Sequence, residues 1–315
     1  MNDILVIGIA TVDAIGRPID EFPGPGGLRF FERLTMSTGG CAINCSIALA
    51  KLGAPCDTIA RVGADILGDF VVAELARHGL NTAGIVRDPQ TSTAFTFVCV
   101  SSAGERCFFH TMGADARLCR ADVPSATLPG RKLVFVAGTM VMDDLDGEPT
   151  AALLTDARAA GVTTLLDTVY VETASRAEWQ RRVLPALPHV DYFIPSHAEA
   201  RAISGLEDPS SIARDFQSHG ARHVIIKLGA QGAFCRDADG REERVPALHV
   251  PKVVDTTGAG DCWSAGFLAG LREGLPITHA ARLGNAVAAQ GIQAAGATAG
   301  VQSLAAAQAS VSQAG

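Results

Sequence analysis

Six short apolar runs limit what this chain can fold into: ILVIGIA, DTIARVG, LVFVAG, TTLLDTV, YFIPS and HVIIKLG. Each is too short for a buried helix and rich in apolar residues, so each reads as a strand covered on both faces. Between them, amphipathic stretches predict helices over residues 42–52, 69–78, 149–160, 197–204, 210–219, 261–273 and 278–294. Strand alternating with helix predicts an α/β fold, a doubly wound and mainly parallel sheet flanked by helices. The alanine-rich C-terminus reads as one more helix with a frayed end.

Two segments break this rhythm. Residues 10–36 are rich in turn formers, with RPIDEFPGPGG at their centre, and residues 91–112 alternate in period two like a hairpin turning at 101–105. Together they predict a small accessory β-sheet. Ligands in open α/β sheets bind beyond the carboxyl ends of the strands, so a flap there would cover the site. No stretch reads as a linker. The expectation is therefore one domain over 1–315, with lid segments at about 10–36 and 91–112 inserted in it.

Charge and cysteine usage remove several classes. The chain carries 26 Lys plus Arg against 33 Asp plus Glu, net −7, with no basic run, which argues against a nucleic-acid partner. No apolar stretch approaches the roughly 20 residues that span a bilayer, and the N-terminus reads as a strand rather than a leader, so a soluble, cytoplasmic protein is expected. The eight cysteines form no CxxC pair, and Cys41 and Cys45, at spacing i, i+4, read as small apolar core residues.

The most informative stretch is VVDTTGAGDCWSAGF, residues 253–267. Helix N-termini present unpaired N–H groups and a positive dipole end, and glycines let an anion come close. The amides of Gly258, Ala259 and Gly260 suit such a cradle, but no Lys-Ser/Thr pair follows, so this is not a P-loop. Asp261, taken alone, reads as an ordinary N-cap or first-turn acid. Its adjacency to the cradle adds a second reading. Phosphoryl transfer to an alcohol needs amides to hold charge and a carboxylate to take the hydroxyl proton.

DTTGAGDCWSAGF resembles the C-terminal signature of the ribokinase-like (PfkB) carbohydrate kinases, and STGGCAINCSIALAKLGAPCDTIARVGADILGDF resembles their N-terminal signature. The resemblance extends over nearly the whole chain, including GNAVAAQGIQAAGA. It implies an ATP-dependent sugar kinase in which Asp261 activates the acceptor hydroxyl and the Gly258, Ala259 and Gly260 amides steady the γ-phosphate. Asp255 would order the loop or lie near a monovalent-cation (K⁺) site. Asp13, Gly39, Gly40 and Asn44 match sugar-contacting positions. Lys227, Gly229 and Gly232 would lie beside the nucleotide, with Asn285 lining the adenine pocket; a solvated strand end is the plainer reading of Lys227. Dimerisation through the lid is a further implication.

The chain also departs from the family pattern. Where members carry Asn-x-x-Glu, it reads SHAE, 196–199, so Ser196 stands for the Asn and Glu199 is retained. That motif implies water organised around Mg²⁺ and phosphate; His197 is a partial substitute or a surface residue. DTVYVE stands where some members carry DxNxR, with Thr168 and Val169 departing. Arg106, and Arg29 or Arg33, suit an anionic group on the substrate or are solvated charges. The acceptor is expected to be a small sugar or sugar acid. Alternatives are a nucleoside kinase using Phe22, Phe30 and Phe31 as a base clamp, or a non-catalytic sugar- or nucleotide-binding regulator. The absence of GxGxxG after the first strand argues against a dinucleotide oxidoreductase.

Overall fold

A strand that is apolar on both faces needs cover on both faces, and the first strand obtains it: Ile4 and Val6 enter one core while Leu5 and Ile7 enter another. The protein is described by a computed structural model covering residues 2–314. Its elements begin with β1 (Ile4–Gly8), β2 (Thr11–Arg17), β3 (Arg33–Gly39), α1 (Cys41–Lys51), β4 (Cys56–Gly63), α2 (Ile66–Arg77), β5 (Ile85–Asp88), β6 (Ala94–Val100) and β7 (Arg106–Thr111). The middle of the chain supplies β8 (Leu133–Thr139), α3 (Glu148–Ala159), β9 (Thr163–Thr168), α4 (Arg176–Val183), β10 (Tyr192–Phe193), α5 (His197–Ser204) and α6 (Pro209–Ser218). The rest is β11 (His223–Lys227), β12 (Ala233–Arg236), β13 (Glu242–Val245), α7 (Ala259–Arg272), α8 (Ile277–Gly291) and α9 (Leu304–Ala314).

Nine strands form the main sheet in the order β13-β12-β11-β10-β9-β8-β1-β4-β5. It is parallel from β11 through β5, and β12 and β13 extend it antiparallel. One core packs the sheet against α1, α2, α7 and α8; the other packs it against α3, α4, α5 and α6. The doubly wound sheet expected from the alternation is thus the observed one. β2, β3, β6 and β7 form a separate four-stranded sheet, β3-β2-β6-β7. The β6–β7 hairpin closes with Ser101 N–H on Glu105 O at 2.9 Å. Among the described residues no helix is long and apolar enough to cross a membrane.

Three elements escape the periodicity argument. α4, RAEWQRRV, buries only Trp179 and Val183, so its apolar stripe is a single i, i+4 pair. α2 starts three residues before the expected 69 because the Asp65 carboxylate accepts the Gly68 N–H at 2.8 Å, whereas the next residue, Ile66, is exposed. β13 is mostly exposed and charged, and it exists through its pairing with β12.

Side-chain caps also distinguish the helices. Asp65, Ser175, Ser196 and Asp208 each cap the helix that follows. α1 and α7 instead start from Gly40 and Gly258, both at positive φ, and no side chain caps their first-turn amides. These two helices pack against each other at the carboxyl edge of the sheet.

Candidate active site

The loop before α7 is pinned at several points. Val254 and Asp255 donate their N–H groups to Ile292 O at 2.8 and 3.2 Å. Asp255 Oδ1 accepts from Thr257 N at 3.0 Å, and its Oδ2 accepts from Gly296 N at 3.0 Å. Burial alone would raise the Asp255 carboxyl, but these N–H groups and the Arg106 guanidinium hold it below the usual carboxylate range. Gly258 adopts φ 70°, and a Cβ there would collide with Ala297. Among the described residues the N–H groups of Gly258 and Gly260 meet no acceptor, while that of Ala259 turns back onto Thr256 O at 3.2 Å. The expected three-amide cradle therefore has two open amides in this conformation.

Asp261 is the third residue of α7, inside the first turn. Its Oδ2 accepts from Asn44 Nδ2 of α1 at 2.8 Å, a contact across 217 residues of chain. Desolvation raises its carboxyl above the ordinary aspartate value, with hydrogen bonds from Asn44 and Cys41 pulling the other way. The residue itself remains partly accessible from the cleft. Lys227, at the end of β11, lies opposite: a Cβ built on Gly260 would sit 3.7 Å from its Nζ.

Lys227 is not a free strand end. Its Nζ donates to Asp167 Oδ2 at 2.6 Å, and both side chains are largely buried. Burial would lower the ammonium, but Asp167 and Glu199 outweigh it and raise it. Asp167 Oδ2 also accepts from Ser264 Oγ of α7 at 3.2 Å. The sequence reading omitted Asp167 from the site, although the signal was present: a carboxylate in a buried strand at the sheet's carboxyl end.

Ser196 and Glu199 form a reciprocal cap on α5. Glu199 Oε2 accepts from Ser196 N at 2.6 Å, and Ser196 Oγ accepts from Glu199 N at 3.4 Å. Thr168 Oγ1 also donates to Glu199 Oε2, at 2.9 Å. Desolvation raises the Glu199 carboxyl. His197 bonds the Glu207 carbonyl at 2.8 Å, away from the cluster. Among the described residues no three His, Cys, Asp or Glu side chains group to hold a metal. Mg²⁺ takes one or two carboxylates plus water and phosphate oxygens, and Glu199 with Asp167 fits that lighter demand.

A cavity of about 670 Å³ lies beside the cradle, lined by Lys227, Gly229 and Gly232 at one end and by Leu248, Ala288 and Ile292 along its walls. Asn285 lines it too, with its amide already engaged: Oδ1 accepts from Trp263 Nε1 at 2.8 Å, and Nδ2 donates to Pro246 O at 2.9 Å. It therefore shapes the wall from behind. The size suits a nucleotide-sized ligand.

The small sheet faces this region with one surface. Arg106 Nη2 reaches Asp255 Oδ1 at 3.1 Å and Nη1 reaches Thr257 Oγ1 at 3.3 Å, so its guanidinium is committed to the loop before α7. Asp13 lies on the same surface; desolvation raises its carboxyl. A Cβ on Gly39 would collide with that carboxylate, so Gly39 makes room for Asp13 itself. Phe22 and Phe31 pack on Phe109 and Phe97, on the opposite surface, and Phe30 lines the same outer groove. Arg29 pairs with Glu21 at 3.0 Å. The expected base clamp and Arg29 thus face away from the cleft.

A nucleotide-sized cavity lined by Ala259 and Gly260 at the start of α7 and by Lys227 at the end of β11 marks a ligand-binding protein of the α/β class. The family model for pfkB family carbohydrate kinase matches residues 1–304. The chain is 28% identical over 279 residues to 2-dehydro-3-deoxygluconokinase of Bacillus subtilis, covering 86% of this chain and 85% of that one. It is 25% identical over 315 residues to ribokinase of Staphylococcus aureus, covering 96% and 97%. The structure of Arabidopsis thaliana ribokinase complexed with ribose and ATP superposes with TM-score 0.87 at 21% identity, covering 99% of both chains. The chain belongs to the pfkB family of carbohydrate kinases.

Proposed function

We propose that this protein transfers the γ-phosphate of ATP to a hydroxyl of a small sugar or sugar acid. The observation that carries the proposal is the meeting of Asp261, held by Asn44, with the open amides of Gly258 and Gly260 and with Lys227 across from them. Asp261 takes the proton from the acceptor hydroxyl, and the amides and Lys227 stabilise charge on the transferring group. ATP with Mg²⁺ supplies the phosphoryl group; Glu199 and Asp167 would hold the hydrated ion, and the 670 Å³ cavity would hold the nucleotide. That Arabidopsis ribokinase is complexed with ATP supports ATP as the donor.

The small sheet acts as a lid over the acceptor, with Asp13 and Asn44 as its contacts and Arg106 as the clasp; Gly39 leaves room for Asp13, and Gly40 for the Ile9–Thr11 backbone rather than for the sugar. A raised Asp261 carboxyl suits a base that must be ionised to work yet retain affinity for a proton. The outer surface of the lid leaves Leu34, Met36 and Phe109 exposed, which supports a dimer through that surface. Unpaired cysteines support work in the reducing cytoplasm, where ATP is available. Asp255 serves as the loop clasp, and K⁺ enters only as an additive whose effect on rate is measured.

The test is transfer from ATP-Mg²⁺ over sugars, sugar acids, polyols and nucleosides. Transfer to a sugar or sugar acid is expected. Preference for nucleosides, or binding without transfer to any acceptor, contradicts the proposal.

A further inference from the structure

Two cysteines face each other across the lid hairpin. Cys99 of β6 and Cys107 of β7 are direct partners in the antiparallel ladder. Directly opposed residues point to the same side of a sheet, so the two thiols share a face. Phe97 and Phe109 lie two residues from them along the same strands, and Cys99 lines the outer groove with both rings, so this face is the one turned away from the cleft. Cys107 is exposed, Cys99 is buried, and both are free thiols. Among the described residues no other cysteines oppose each other in a ladder: Cys56 pairs with Ile4, and Cys235 with Ile225 and Glu243.

Their spacing allows a covalent bond, at some cost to the strands. The Ser101 N–H bonds Glu105 O, and hydrogen-bonded pairs alternate along an antiparallel ladder, so Cys99 and Cys107 form such a pair, with Cα atoms about 5.5 Å apart. That lies within the range a disulfide spans. The Cβ atoms of a pair of this kind stand roughly 5 Å apart, against about 3.8 Å across a disulfide, so closing the bond draws the strands together by roughly 1 Å. An exposed disulfide made in this way is labile. The next pair along is Val100 with Arg106, and Arg106 holds Asp255 at 3.1 Å. A shift of that size takes the guanidinium out of hydrogen-bonding range.

We propose that Cys99 and Cys107 form a reversible redox pair that exchanges with low-molecular-weight disulfides, and that its oxidation releases the Arg106 clasp. Burial, with Cys107 alongside, raises the Cys99 thiol above its usual value, so the exposed Cys107 is the attacking group. Its thiolate attacks one sulfur of the small disulfide, that S–S bond breaks, and the first small thiolate leaves with the electron pair. The Cys99 thiolate then attacks the Cys107 sulfur of the mixed disulfide and expels the second small thiolate. The two protons given up by the protein thiols end on the two released thiols. Two cysteines are oxidised and one small disulfide is reduced. The bond itself is independent of the kinase reading above; its effect on the acceptor rests on that reading.

The experiment treats the full chain with excess oxidised glutathione, dilute enough that self-association through the outer face does not cover Cys107, then blocks the remaining thiols and maps peptides without reduction. One disulfide joining Cys99 to Cys107 is expected ahead of any other, and dithiothreitol reverses it. Cys99→Ser is expected to stop at glutathione bound to Cys107. The oxidised chain is expected to show an acceptor KM about two- to fivefold above that of the reduced chain, the change given by Arg106→Ala, with KM for ATP within about twofold. The double variant Cys99→Ser, Cys107→Ser shows no response to oxidation. Thiols at 99 and 107 that stay free, a bond to another cysteine, or a bond between two copies overturns the inference and leaves the kinase reading standing. An acceptor KM unmoved by the mapped disulfide overturns the release of the clasp. Transfer to no acceptor by the reduced chain overturns the kinase reading, while the peptide map still decides the bond.

Discussion

Asn44 and Asp261 show how two residues far apart in sequence act as one unit. The Asn44 amide donates to the charged form of Asp261, so it opposes the desolvation that raises that carboxyl. Asn44→Ala removes the donor, and the Asp261 carboxyl moves higher still. Because the base works only when ionised, the acid limb of the kcat profile should shift to higher pH, with a larger rate loss at pH 6 than at pH 8. An unmoved acid limb would show that Asp261 does not set it. Much of this site was legible. The glycine-rich turn followed by Asp261 identified the cradle, and Gly39 to Asn44 identified the opposing helix start. Asp167 was legible only as a carboxylate ending a buried strand, because its role depends on Lys227 and Ser264, 60 and 97 residues away. The commitments of Arg106, Asn285 and Ser196 were equally hidden, since spacing assigns a residue to a region without saying which neighbour takes its polar atoms.

Among elements, the strands and most helices follow from apolar period alone, while edges and caps depend on contacts that pattern does not encode. The Arg106 contact is such a case, joining β7 to the loop before α7 across about 150 residues of chain. With Arg106 partly exposed and Asp255 mostly buried, the pair should contribute roughly 0.5–1 kcal/mol. Arg106→Ala is expected to loosen the lid, raising acceptor KM about two- to fivefold and speeding hydrogen exchange in β6 and β7; unchanged exchange there would contradict a clasp. Ser196 separates two roles cleanly. As the cap of α5 its loss in Ser196→Ala should cost about 1 kcal/mol, read from denaturant unfolding, with KM for ATP little changed. A large rise in KM for ATP at unchanged stability would instead assign it to the nucleotide.

At the scale of the whole molecule, the carboxyl edge of the nine-stranded sheet gathers α1, α7, β9 and β11 around one cleft, and Arg106 ties the small sheet to the loop before α7. Exposed apolar side chains on the outer face of that sheet predict self-association. Leu34→Asp should halve the mass seen by light scattering if wild type is a dimer, and a monomeric wild type would remove that part of the proposal. The central claim concerns a proton and a phosphoryl group meeting where α7 begins. Its most direct test is Asp261→Asn, assayed for transfer from ATP-Mg²⁺ alongside calorimetric ATP binding. We expect kcat to fall roughly 10²–10⁴-fold with ATP affinity within about threefold of wild type. Near-normal turnover by this variant would contradict the assignment.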